Sequence, residues 1–180
     1  MIPKRILNYL EKNGIKYKIV EHRPVYTALD KSATLHLPPS QVVKTALIKI
    51  SNQFFLVLVP AHRNIDFKKI ENFLTKELKK HPLKNTRKKK ISFVSERWMR
   101  GHLKGIKLGN IPPFGSFWKY FVLLDKSLLR EKKLIVNGGD YRFSLELSQN
   151  DFRKSLGDYF NGIFSQAKSK KTRKKSVKKK

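Results

Sequence analysis

The chain of 180 residues contains no cysteine. That removes disulfides, thiolate zinc sites and a cysteine nucleophile together, and it fits a reducing compartment. Acid is also scarce: 13 Asp and Glu stand against 41 Lys and Arg, for a formal net charge of +28. No run approaches the ~18 apolar residues of a membrane span. The N-terminal MIPKRILNYLEKNG, charged at Lys4, Arg5, Glu11 and Lys12, lacks the apolar stretch of a signal peptide. The expectation is a soluble, cytoplasmic protein with no membrane partner. His22, His36, His62, His81 and His102 are scattered with no HxxxH pair, so no metal is expected. GxSxG, the P-loop and GxGxxG are all missing, against a serine hydrolase and against nucleotide-driven chemistry, and no cofactor is expected.

What is abundant is positive charge. Nine basic residues occupy the last thirteen positions, yet residues 1–167 still carry +19. A second cluster, KELKKHPLKNTRKKK over 76–90, holds eight basic residues and one acid. A surplus of this size points to a polyanion, most commonly nucleic acid. The hydrophobic fraction of 39%, with 12 Phe, 6 Tyr and 2 Trp, suffices for a real core. A single domain of this size buries roughly 70% of its unfolded surface. The organisation expected is one domain over 1–162 and a basic tail over 163–180, which from Lys168 onward cannot bury a core and is expected to be disordered.

Hydrophobic periodicity predicts a helix over about 3–13 and then a strand reaching Glu21 and His22. Thr27, with Asp30 three residues on, predicts a short capped helix through Leu35. QVVKTALIKI and QFFLVLVP, parted by Ser51-Asn52, predict a hairpin, and Asp66 opens a helix ended by His81-Pro82. ISFV is a short strand, and Ser95 starts a helix through Leu103. WKYFVLLD, KLIVNGG and YRFSLELS supply three more strands, and Ser148 caps a final helix.

Two features suggest a site. Along the predicted strand Lys44 shares a face with Val42, Ala46, Ile48 and Ile50, so a lysine lies on an apolar side and faces either a desolvation cost or a cleft. The loop Gly109-Asn110-Ile111-Pro112-Pro113-Phe114-Gly115 combines permissive glycines with stiffening prolines, a shape that can turn amides toward an oxyanion or simply hold Phe114 in the core.

These segments share an order with a known family. His22-Arg-Pro-Val-Tyr-Thr-Ala28, Val-Val-Lys-Thr at 42–45, Val-Pro-Ala at 59–61 before Asp66, the glycine loop, Val-Asn-Gly-Gly at 136–139 and Ser-Leu-Glu-Leu at 144–147 are collinear motifs. Together, over about residues 3–160, they resemble the YbaK/prolyl-tRNA synthetase-associated domain family of trans-editing deacylases. The resemblance implies an α+β fold with a mixed, barrel-like sheet surrounded by helices, and a pocket between the lysine strand and the glycine loop. It implies hydrolysis of misacylated tRNA, with tRNA as partner and an aminoacyl-tRNA synthetase as a conceivable second one.

Carried over by position, Lys44 and Gly109 match the family's pocket lysine and the glycine whose amide lies at the pocket. Thr45, Asn137, Ser144, Pro113, Phe114 and Gly115 fall on or beside substrate-binding motifs. Asn137 stands where a close bacterial branch has Ser, and Ser144 where it has an acid, so substrate choice does not transfer. Lys88, Lys89 and Lys90, with Lys170, Lys171, Arg173, Lys174 and Lys175, are the candidates for gripping tRNA phosphates. The competing reading is a non-catalytic basic RNA-binding or ribosome-associated module on the same fold.

Overall fold

The computed structural model describes residues 1–50, 52–77 and 90–168. Its helices are α1 (Lys4–Lys12), α2 (Ala28–Thr34), α3 (Phe67–Glu77), α4 (Glu96–His102), α5 (Gly115–Trp118) and α6 (Gln149–Leu156). Its strands are β1 (Lys18–Glu21), β2 (Val43–Ile50), β3 (Gln53–Pro60), β4 (Arg63–Ile65), β5 (Ile91–Phe93), β6 (Phe121–Asp125), β7 (Lys133–Asn137), β8 (Phe143–Ser148), β9 (Tyr159–Gly162) and β10 (Ser165–Ala167). The caps read from sequence are made: Thr27, Ser95 and Ser148 accept hydrogen bonds from the amides of Asp30, Trp98 and Asp151, satisfying donors that helix starts otherwise leave orphaned.

The fold is mixed α+β. A five-stranded sheet runs β5-β2-β3-β6-β9, antiparallel at β5/β2 and β2/β3 and parallel at β3/β6 and β6/β9. A second, antiparallel sheet runs β1-β8-β7, and β4 pairs with β10. The mixed sheets expected are present, but the barrel-like sheet is not a closed barrel among the described residues. Among the described residues one bridge, Val42 to Ile135, links the backbones of the two larger sheets, backed by the Ile135 amide donating to the Gln41 carbonyl at 2.8 Å. One bridge joins two sheets at a seam without continuing the ladder.

The hairpin β2–β3 is covered on both sides. Val43, Leu47, Leu56 and Leu58 enter a core shared with α1, α6, β7 and β8, while Ile48, Ile50, Phe55, Val57 and Val59 pack with Ile70 and Leu74 of α3 and with Phe164. Burial on two faces explains why QFFLVLVP is apolar throughout rather than alternating. The predicted end of α3 at His81-Pro82 lies outside the described residues.

The ordered fold continues past residue 162, where sequence had put the tail. Phe164 is fully buried and β10 pairs in register with β4. Asp125 at the end of β6 holds this segment. Its carboxylate accepts from the Phe164 amide at 2.9 Å, the Ser165 hydroxyl at 2.7 Å, and both the amide and hydroxyl of Ser127. Burial pushes the Asp125 carboxyl up, but these hydrogen bonds outweigh it and hold the group below the ordinary carboxylate value.

Asp125→Asn is expected to lower stability by about 1.5–3 kcal/mol at pH 7, the range for hydrogen bonds to a charged group. A depressed native pKa contributes stability above the unfolded-state value and loses it as pH falls through the native value. Denaturant titrations at pH 7 and at steps below pH 4 should therefore show the gap between wild type and variant narrowing on acidification. An equal gap at every pH contradicts this assignment.

Candidate functional site

Where β2 leaves the bridge to β7, its first residues border a cavity of about 580 Å³. Lys44, Thr45 and Ala46 of β2 form one wall, and residues 25–28 with Lys31 of α2 form another. Gly109, Asn110 and Asn137 close a third side, while Asn64, Ile65, Phe93 and Gln166 complete the lining. No Asp or Glu is among these residues. Tyr26 and Phe93, 70% and 58% exposed, stand at the rim. Each is braced from behind, Tyr26 by Tyr141 at 4.8 Å between ring centroids and Phe93 by Phe67 at 4.9 Å.

Lys44 is half-buried, and its Nζ donates to the Arg63 carbonyl at the start of β4. Burial pushes its pKa down from the ordinary lysine value, and the nearby charge of Lys168 pushes the same way. Thr45 is 7% exposed, and its Oγ1 has no hydrogen-bond partner among the described residues. Gly109 adopts φ +77°, in the region open to glycine and strained for other residues. Its loop is stitched to β7 and the turn after it. The Lys107 amide donates to the Gly139 carbonyl at 2.9 Å, and Asn137 Nδ2 donates to the carbonyls of Gly109 and Ile111 at 3.3 and 3.4 Å.

Sequence reasoning missed Lys31. Only 2% exposed, it donates from Nζ to Asn137 Oδ1 at 2.7 Å. Desolvation lowers its pKa from 10.5 to about 8. Asn137 thus joins a buried amine on one side to the glycine loop on the other. The signal in the sequence was faint: a lysine in the seven-residue α2, whose only mark is that it lies one turn past the Thr27 cap.

Of the expected site residues, the cavity brings together Lys44, Thr45, Gly109 and Asn137 and leaves out four. Ser144 of β8, paired with Val20 of β1, is fully buried, and its hydroxyl meets His22 Nε2 at 2.9 Å. With Nδ1 donating to the Arg23 carbonyl, that ring nitrogen is the acceptor and Ser144 the donor. Phe114 is buried against Tyr9, with ring centroids 5.8 Å apart, and Pro113 is buried beside it. Gly115 begins α5, where an added Cβ would meet Val122 at 2.4 Å and the Leu156 carbonyl at 2.8 Å, so packing demands glycine there. Lys90 is exposed just before β5, whereas Lys88, Lys89, Lys170, Lys171, Arg173, Lys174 and Lys175 lie outside the described residues. Among the described residues no three His, Asp or Glu side chains converge as a metal centre requires, and no helix is long and apolar enough to cross a membrane.

Residues 22–155 match the model of the aminoacyl-tRNA editing domain. The prolyl-tRNA editing protein ProX of Acetoanaerobium sticklandii is 25% identical over 167 residues, covering 88% of this chain and 94% of that protein. Two solved structures share the fold. A proposed trans-editing enzyme for prolyl tRNA synthetase superposes with a TM-score of 0.74 at 19% identity, covering 91% of this chain and 96% of that one. A hypothetical protein, APE2540, gives 0.73 at 17% identity, covering 90% and 99%. The matched span holds every element that walls the cavity except β10, and on that basis the chain belongs to the aminoacyl-tRNA editing domain family.

Proposed function

We propose that this protein is a stand-alone deacylase that hydrolyses the ester joining a wrong amino acid to the 3′ end of a tRNA. The observation that carries the reading is the convergence of Lys44, Gly109 and Asn137 on one cavity in a chain of the editing family. The curated relative is a prolyl-tRNA editing protein, which makes a tRNA for proline the first candidate substrate.

An aminoacyl ester is already activated, so hydrolysis needs alignment and charge stabilisation more than a strong base. In this reading the acceptor end enters past Tyr26 and Phe93, whose exposed ring faces suit stacking of an unpaired terminal base. The ester carbonyl lies toward the Gly109 amide and Lys44. Water attacks the carbonyl carbon and negative charge builds on its oxygen, where the amide and the cation stabilise it. The bond from the carbonyl carbon to the ribose oxygen then breaks. The proton lost by water passes to that oxygen, releasing free amino acid and a tRNA with its terminal hydroxyl restored. In this reading a ribose hydroxyl neighbouring the ester orients the water. Asn137 acts at one remove by fixing the loop that presents Gly109.

Lys44→Ala is expected to slow single-turnover deacylation of a mischarged tRNA by about a hundredfold or more, the scale of losing one electrostatic donor. Circular dichroism should show the fold intact. A folded Lys44→Ala protein that deacylates at the wild-type rate contradicts the mechanism, and tight tRNA binding without release of any amino acid favours the non-catalytic RNA-binding module.

The basic cluster over 76–90 and the lysines after residue 168 are proposed to hold tRNA phosphates without sequence preference. Truncation after Lys168 should weaken tRNA binding and flatten its dependence on salt, by about 0.7–0.9 of log–log slope for each phosphate that the truncated chain no longer neutralises. A filter-binding series across salt concentrations measures this, and an unchanged slope removes the tail from the interface.

A further inference from the structure

The two lysines of the cavity differ in kind. Lys44 is half-buried near the exposed Lys168. Lys31 is enclosed, which a polyanionic backbone cannot follow. An ammonium has three donors, and Lys31 forms one hydrogen bond among the described residues, to Asn137. No carboxylate lines the cavity to balance it. Thr45 adds a hydroxyl that is buried and unpaired among the described residues. Enclosed polar groups left unsatisfied carry a desolvation cost, and the ligand that relieves it is one bringing an oxygen into the cavity that both residues line.

We infer that Lys31 and Thr45 read an oxygen on the side chain of the aminoacyl group, so that the site favours hydroxyl- or carboxylate-bearing residues over apolar residues of the same size. This rests on the deacylase reading above. A cavity built to hydrogen-bond an oxygen rejects the isostere lacking it, because its own buried donors then stay unpaired, whereas a purely apolar cavity discriminates such pairs weakly. Asn137 is the positioning residue: its amide oxygen holds the Lys31 amine while its amide nitrogen grips the glycine loop. The same cationic end repels a lysyl or arginyl side chain, and it directs the substrate's α-ammonium away from Lys31.

The test uses the full chain and one tRNA charged in turn with threonine, valine, serine, alanine and aspartate. Threonine and valine differ by hydroxyl against methyl at nearly equal volume, so their ratio isolates the oxygen. Wild type should hydrolyse the threonyl ester more than about tenfold faster than the valyl ester, and seryl faster than alanyl. Lys31→Met and the isosteric Thr45→Val should each bring the threonyl-to-valyl ratio within about threefold of unity. A faster aspartyl than threonyl ester identifies the carboxylate as the preferred group, and the reverse identifies the hydroxyl. A thermal melt of each variant, read beside its threonyl-to-valyl ratio, separates a failure of recognition from a failure to fold. Hydrolysis with a wild-type threonyl-to-valyl ratio near one, or with a ratio that survives both substitutions, overturns this inference and leaves the deacylase intact. No hydrolysis of any of the five esters overturns the deacylase reading and this one with it.

Discussion

β2 is covered along most of both faces, with only Lys49 near its far end exposed, so a lysine at its start has little open solvent to reach. Val43 and Leu47 enter one core and Ile48 and Ile50 another, so turning Lys44 to the opposite face would set it among Val43 and Leu47. The fold resolves this by interrupting cover at one end. Near the bridge to β7, the sheet gives way to a cavity, and Lys44 lies there with its amine on a backbone carbonyl. The seam between the two larger sheets, the cavity and the lysine are therefore one structural fact.

The second constraint is Asn137. Its Oδ1 accepts from Lys31 and its Nδ2 donates to the glycine loop, so one amide fixes the relative positions of α2, β7 and residues 109–111. This arrangement opposes stability. Lowering an amine from 10.5 to about 8 corresponds to a burial cost of about 3 kcal/mol. The cost is fully present at neutral pH, where the amine is charged folded and unfolded, and it is relieved as pH rises from about 8 toward 10.5, where the unfolded chain binds more protons. A lysine buried at such a cost beside a cavity is the kind of group that clusters at functional sites.

Local chemistry was legible in the sequence, and long-range partnership was not. The caps at Thr27, Ser95 and Ser148 lie three residues from their targets. The period of two in QVVKTALIKI placed Lys44 on an apolar face because strand alternation is a property of the chain alone. Lys31 has its meaning from Asn137, 106 positions away, and Ser144 loses its expected place in the site to His22, 122 positions away. Residues 163–168 look like the start of a tail because Asp125, which holds them, is some 40 positions earlier. Gly115 and Phe114 read as site residues because they belong to the motif that carries Gly109, although the chain turns into the core directly after it.

Deacylation by this route requires the aminoacyl end of a tRNA to enter the cavity between β2, α2 and the glycine loop. An NMR titration of isotope-labelled protein with a non-hydrolysable 3′-aminoacylamino-adenosine measures this directly. The amide signals of Thr45, Gly109 and Asn110, with the side-chain amide of Asn137, should shift together and saturably, while those of α6 and β9 stay fixed. Saturable binding that leaves Gly109 and Asn137 unperturbed, or that maps to another face, would contradict it.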